Sequence, residues 1–323
     1  MLKIIEARGN YYDCGYQFGE QAKKHIEYRL KREVKDALFK KYQKALEEVH
    51  QTCKKYYPQF IREMEGMADG AKVDYWRLLL LNTPEIESRK GGCTTIAAKR
   101  DDGIFLVHNE DGGGDERSQD CFLVHYVLPE VSFYAFVYAG EIPSGSYSWN
   151  SYGVYFSVNY LEPIRPDITD RVSRCFVARR LIEAKSIEDG ISKLKSGHEA
   201  SGYHYYLGKG TDLFSIEQFH DSVSIKEVRG IDVHTNHYLH PMFSAQAPTY
   251  KNSLIRYKQT LKLLEEKKDP MDILADRKHA PNSICTKLLE NGHTISTIRF
   301  LPTENKVELY EPLSMKKVQT FSL

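Results

Sequence analysis

The 323-residue chain carries 45 basic and 44 acidic side chains, a formal net charge of +1, which excludes a global pull toward nucleic acid or an anionic membrane. A mean hydropathy of −0.51 and a most apolar stretch of only LLLL at 78–81 exclude the pattern of a membrane-spanning helix. The six cysteines, at 14, 53, 93, 121, 175 and 285, form no CxxC pair, and neither a signal-peptide pattern at the start nor an N-x-S/T sequon is found; free thiols in a cytoplasmic protein are the expectation.

The first third reads as helical. Ile26, Leu30, Val34, Leu38, Tyr42, Leu46, Val49, Cys53 and Tyr56 recur every three or four positions between Lys and Glu, which predicts one long amphipathic helix. Pro58 ends it, a shorter helical run passes through Met64 and Met67, and Gly66 and Gly70 punctuate. From residue 93 the period falls to two. CTTIAAK and IFLVHNE flank Arg-Asp-Asp-Gly, a hairpin signal, and CFLVHYV, SFYAFVY and GVYFSVN continue as strands. A helix over about 171–185 follows, then Ser186 with Asp189 as a capping box for another. YHYYLG, LFSIEQF, SVSIKEV and DVHTNHY are strands again, helices are expected near 249–266 and 281–290, and STIRFL and KVELYEP close the chain. Two blocks of strands separated by helices, behind a helical front, predict an α+β layered sandwich of antiparallel sheets in one domain spanning 1–323.

Several chemistries lack their motif. There is no Walker A run, GKGTDL at 208–213 is a turn rather than a G-x-G-x-x-G, and no G-x-S-x-G elbow occurs. In HTNHYLH, His234, His237 and His240 are three apart, with His108, Glu110 and Asp111 as further ligand types. On a strand, positions 234 and 237 point to opposite faces, so structural histidines are the expectation there, with a metal-dependent hydrolase through His234, His237 and His240 left open as a third class. Cys93 sits differently. Gly92 before it lets the 92–93 peptide adopt strained dihedrals and admit attack on its carbonyl. A thiol at residue 93 that attacks the Gly92 carbonyl forms a thioester, and water opening that thioester frees the α-amine of Cys93. An α-amine titrates at about 7.7–8.0, against about 10.4 for lysine, so one residue would hold nucleophile and base together.

GNYYDCGYQFGEQAKKHI, YPQFIREMEGMADGAKVDYWRLLLLN, GGCTT with HNEDG, SWNSYGVYFSVN and DVHTNHYLHP form an ordered set that resembles the acyl-coenzyme A:6-aminopenicillanic acid acyltransferase family, peptidase family C45 of the N-terminal nucleophile (Ntn) hydrolases. The resemblance implies a four-layer αββα sandwich and a precursor that cuts itself between Gly92 and Cys93 into 1–92 and 93–323. It implies Cys93 as nucleophile, Asp111 as the acid that orients the new amine, and Asn236 as an oxyanion donor. Thr95, Asn109 and Asn159 are supporting positions, and the family's late arginine is matched to Arg299. Glu110 departs from the aromatic residue usual between Asn109 and Asp111. The implied activity is hydrolysis of a linear, non-peptide or small peptide-like amide through a thioester; acyl transfer to an amine uses the same residues, and a silent binding protein on the same scaffold is the alternative of another class. No cofactor is expected, although a coenzyme A thioester is left open as substrate. The partner is a small-molecule amide or acyl compound, and a homo-oligomer is left open.

Overall fold

The computed structural model describes residues 2–86, 92–100, 103–112, 120–162, 168–245, 250–287 and 293–323. Its helices are α1 (Tyr11–Glu33), α2 (Asp36–Tyr56), α3 (Pro58–Ala71), α4 (Tyr75–Leu81), α5 (Arg174–Leu181), α6 (Ile187–Lys195), α7 (Pro241–Ser244), α8 (Lys251–Glu265) and α9 (Pro270–Leu274). The strands of the first half are β1 (Lys3–Arg8), β2 (Gly92–Arg100), β3 (Gly103–Gly112), β4 (Cys121–Val127), β5 (Ser132–Tyr138), β6 (Tyr147–Asn150) and β7 (Val154–Tyr160). Those of the second are β8 (Tyr203–Lys209), β9 (Asp212–Phe219), β10 (Ser222–Glu227), β11 (Gly230–His234), β12 (His293–Leu301), β13 (Lys306–Glu311) and β14 (Lys316–Ser322). Among the described residues they form an eight-stranded sheet, β1-β4-β5-β6-β7-β8-β9-β10, and a six-stranded sheet, β11-β2-β3-β12-β13-β14.

Alternation of side chains across each strand sorts most of the described apolar residues into three cores, beside a small cluster of Leu161, Tyr238 and Phe243. Phe122, Val124 and Tyr126 of β4 join Phe18, Leu46, Phe60, Leu79 and Phe176 beneath the helices, whereas Cys121 and Leu123 point the other way. That second face meets Ala97, Leu106, Ile298 and Phe300 of the six-stranded sheet. The opposite face of the same sheet sends Ile96 and Val107 against Ile273 and Leu274 of α9. The order is helices, sheet, sheet, helices: an α+β sandwich of four layers, as expected. One edge departs from the all-antiparallel expectation, because β1 runs parallel to β4.

The predicted long helix is two. The break falls at Val34 and Lys35, where Val34 leaves helical geometry and its carbonyl takes a 2.9 Å hydrogen bond from Arg77 Nη1. A distant arginine satisfies the carbonyl, so no Gly or Pro marks the site locally. Gly66 and Gly70 lie inside α3 rather than ending it. A Cβ on Gly66 would come within 2.1 Å of the Tyr12 carbonyl oxygen, and one on Gly15 within 1.9 Å of that of Glu63, so these glycines let α1 and α3 touch backbone to backbone. The helix expected near 281–290 is absent over residues 281–287, which form turns and irregular chain; residues 288–290 lie outside the described set. There the backbone bonds sideways, Cys285 N–H to the Asp276 carbonyl at 2.8 Å. The 92–100/103–112 hairpin forms as read, with Arg100 opposite Gly103, and Ser186 caps α6 by accepting from Asp189 N–H at 3.2 Å.

Candidate active site

The β2–β3 hairpin fixes the site by register: Gly92 lies opposite Asp111, Cys93 opposite Glu110, Thr94 opposite Asn109 and Thr95 opposite His108. Period two then divides these residues between faces. Cys93, Thr95, His108 and Glu110 look into the layer between the sheets. The Cys93 thiol donates to Glu110 Oε2 at 3.2 Å, and Glu110 Oε1 accepts from the Tyr138 hydroxyl at 2.5 Å. His108 Nε2 stands 3.3 Å from Glu110 Oε2, while its Nδ1 is 2.8 Å from Thr95 Oγ1. Thr95 in turn donates to Asn159 Oδ1 of β7 at 2.8 Å, tying the two sheets together. Asn159 Nδ2 is buried and has no hydrogen-bond partner among the described residues.

Thr94, Asn109 and Asp111 look the other way, toward α8 and α9. Asn109 donates to the Leu274 carbonyl at 2.8 Å and accepts from the Thr297 hydroxyl at 2.6 Å, so it anchors the outer layer and does not meet the thiol. Asp111 accepts from Thr294 Oγ1 at 2.6 Å. Burial raises its carboxyl to about 7, with the Arg256 guanidinium pulling the other way. Both groups crowd the residue before Cys93: a Cβ on Gly92 would lie 3.1 Å from Asp111 Oδ2 and 3.2 Å from Arg256 Nη2.

The main chain of Cys93 is held at both ends. Its N–H donates to Asn236 Oδ1 at 3.0 Å, and its carbonyl accepts from Arg256 Nη1 at 2.5 Å. Arg256 also donates to Thr94 Oγ1 at 2.9 Å and to Asn236 Oδ1 at 2.5 Å. Asn236 therefore turns its oxygen to Cys93, and its Nδ2 donates to the Tyr160 carbonyl at 3.0 Å. The orientation follows from the uncut peptide: a main-chain N–H needs an acceptor, and the amide oxygen supplies it. Burial, then the Glu110 and Asp111 carboxylates, push the Cys93 thiol well above its ordinary value; a hydrogen bond from the Tyr160 main-chain N–H works in the opposite direction. A cavity of about 110 Å³ opens beside the thiol, lined by Gly92, Glu110, Tyr138, Ser146 and Tyr160 among others.

The structure brings Cys93, Thr95, Asn159 and Asn236 together, with Asp111 beside Gly92 on the far face of the hairpin. Arg299 lies elsewhere: it sits on the outer face of β12 opposite Val107 and lines a different cavity with Arg100 and Phe105. The arginine beside Cys93 is Arg256. Its signal was present as a polar stripe at helical spacing, since Ser253, Arg256, Gln259 and Thr260 make the buried face of α8. The histidines of HTNHYLH do not converge on one ion. His234 is bonded to Glu217 at 3.0 Å and stacked on His204, His237 is bonded to Ser253 at 2.7 Å, and His240 sits between Ser215 and Ser224. Among the described residues, the three ligand-type groups that gather within 4.8 Å are those of Cys93, His108 and Glu110.

The family model described as acyl-coenzyme A:6-aminopenicillanic acid acyl-transferase matches residues 98–313. A beta-alanyl-dopamine/carcinine hydrolase of Drosophila melanogaster is 26% identical over 226 residues, 60% of this chain and 57% of that protein. The 40 kDa form of acyl-coenzyme A:6-aminopenicillanic-acid-acyltransferase of Emericella nidulans is 27% identical over 256 residues, 73% of this chain and 69% of that protein. The match thus spans a little over half of the fly relative's length. A variant of conjugated bile acid hydrolase from Clostridium perfringens superposes with a TM-score of 0.40 at 9% identity over 72% of this chain and 97% of that one, a likeness too low to argue from. Among the described residues no helix is long and apolar enough to cross a membrane.

Proposed function

Because the chain belongs to the acyl-coenzyme A:6-aminopenicillanic acid acyl-transferase family, we propose that it is an amidase that cuts itself before Cys93 and then hydrolyses a linear amide from the new amino terminus. The observation that carries the reading is the treatment of Cys93: its thiol borders a cavity while its own N–H and carbonyl are fixed by Asn236 and Arg256. In the first step Sγ attacks the Gly92 carbonyl carbon, the C–N bond breaks, and the Cys93 nitrogen takes the proton. Water then hydrolyses the thioester to release Gly92 as a carboxylate. In turnover the α-amine, of ordinary pKa about 7.7–8.0, accepts the Sγ proton. Sγ attacks the substrate carbonyl, the amine product leaves with that proton, and water opens the acyl-enzyme.

The surrounding charges suit the task. Asp111 favours the protonated amine and Arg256 the neutral one, so a base poised near neutrality results. Asn159 Nδ2 and the Tyr160 N–H are the donors for the tetrahedral oxyanion; Asn236 Nδ2 joins them by leaving the Tyr160 carbonyl while Arg256 holds its oxygen. The fly relative's activity on beta-alanyl-dopamine and carcinine supports an amide of a small amine as substrate class. The Emericella relative supports a second outcome from the same residues, in which an amine replaces water and a coenzyme A thioester donates the acyl group.

The test is denaturing intact-mass spectrometry of the wild type beside Cys93→Ala. Two polypeptides broken between Gly92 and Cys93, with the variant whole, are expected. Amide hydrolysis measured with and without an acceptor amine then separates hydrolase from transferase. A folded wild type that stays whole removes the free amine, and leaves a binding protein on this scaffold.

A further inference from the structure

We propose that Cys93, His108 and Glu110 form a three-ligand site for a single borderline-soft divalent cation, zinc by the chemistry of the donors, whose binding caps the thiol. The three donors are a thiol sulfur, an imidazole nitrogen and a carboxylate oxygen, all buried, within 4.8 Å of one another. Metal–ligand distances of about 2.3 Å to sulfur, 2.0–2.1 Å to nitrogen and 2.0–2.2 Å to oxygen put tetrahedral ligands about 3.4 Å apart for N and O, and about 3.6 Å apart for S and O. The structure has His108 Nε2 at 3.3 Å and Cys93 Sγ at 3.2 Å from Glu110 Oε2. Movements of a few tenths of an ångström bring these two pairs to ligand spacing, and the Cys93–His108 pair, within 4.8 Å, closes on the ion by up to about 1.2 Å.

The proton bookkeeping points the same way. As placed, Thr95 gives its hydroxyl proton to Asn159 Oδ1, so its oxygen accepts from His108 Nδ1. In that tautomer the Nε2 lone pair faces Glu110 Oε2 and the Ser146 hydroxyl, each at 3.3 Å. A cation between Nε2 and Oε2 would take the lone pair that the Ser146 hydroxyl otherwise shares. Both ligands are also braced from behind as metal ligands are: His108 by Thr95, and Glu110 Oε1 by the Tyr138 hydroxyl. The fourth position opens to the cavity that Cys93 and Glu110 line, so water or a substrate group completes the tetrahedron. Binding exchanges the Sγ proton for the metal and releases that proton to solvent. That the occupied site is inhibited rests on Cys93 being the nucleophile; the binding itself does not.

Cobalt(II) titrated into the purified, chelator-treated protein is the test, with zinc as competitor. One equivalent should give a thiolate-to-cobalt charge-transfer band, absent in Cys93→Ser or much altered, and discharged by zinc. Glu110→Gln and His108→Gln should each weaken binding at least 10-fold, and Thr95→Val, which removes only a brace, by about 10-fold. Circular dichroism checks that each variant is folded; should Glu110→Gln fail, Glu110→Asp keeps the ligand type on a shorter arm and should bind more weakly than wild type. No charge-transfer band in folded wild type, or a band indifferent to both Glu110 and His108, overturns the site. Chelator-treated protein that binds cobalt normally yet neither self-cleaves nor turns over amides would instead overturn the proposed function and leave the metal site standing.

Discussion

Replacing Asp111 with Asn should stabilise the protein at neutral pH while damaging the activity proposed for it. Burial raises the Asp111 carboxyl from 3.8 to about 7, so the folded state binds a proton that the unfolded state has already lost between those values. Stability contributed by the protonated acid is intact below about pH 4 and is lost as pH rises toward 7. A difference of roughly three pK units, at about 1.36 kcal/mol each, puts the cost of ionising Asp111 near 4 kcal/mol above pH 7. Asn mimics the protonated acid in shape, keeps an acceptor for Thr294 Oγ1, and carries no charge. In the uncut Cys93→Ala background, urea unfolding with Asp111 retained or replaced should give similar stabilities at pH 4. The Asp111→Asn protein should then gain progressively, by up to about 4 kcal/mol at pH 8. Parallel pH profiles for the two proteins would refute the reasoning, because they would mean that Asp111 ionises in the fold as it does in the open chain.

Arg256→Met, in the same uncut background, should cost about 3–5 kcal/mol by denaturant unfolding, since it strands the Cys93 carbonyl, takes one of two donors from the Asn236 oxygen and removes the cation beside a buried carboxyl; a loss below about 1 kcal/mol would mark the cluster as loosely held. Gly66→Ala should destabilise by about 1–3 kcal/mol because α1 must move off α3, whereas Gly145→Ala, with nothing within 4 Å of the new carbon, should change stability by less than about 0.5 kcal/mol. Arg299→Met should leave self-cleavage and amide turnover as in the wild type, read by intact mass and product release; a large loss would restore that arginine to the site.

Much of this architecture was legible because strands announce themselves twice, by alternation and by their turns. Thr94, Thr95, Ile96 and Ala97 alternate faces in the structure as in the text, and that alternation places Cys93 between the sheets. The family motifs located the surroundings of Cys93 as far as they are contiguous: Thr95 and Asp111 on the same hairpin, Asn236 just past β11. What escaped was the part made by distant chain. Arg256 reads as an ordinary member of KNSLIRYKQ, and its burial becomes apparent only when α8 is laid against β2. The break at Val34 depends on Arg77, forty-three residues later. His108 reads with the wrong partners, because nothing in HNED says that its ring shares a face with Cys93 while Asn109, one residue on, does not reach the thiol. Gly66 and Gly70 show the opposite failure: a familiar stop signal serving as a contact surface.

The first 92 residues supply β1, the edge strand paired to β4, and the α1–α4 helices whose Phe18, Leu46, Phe60 and Leu79 share one core with β4, β5 and α5. A break at 92–93 would therefore sever a covalent bond without freeing either piece. The nicked molecule would elute and sediment as the intact one does, and the two fragments would part only on denaturation. Once denatured, they would have to find each other as separate solutes, losing the effective concentration that a shared backbone gave them. Synthesis as one chain would then be a single-use assembly aid, consumed by the reaction that the assembly makes possible.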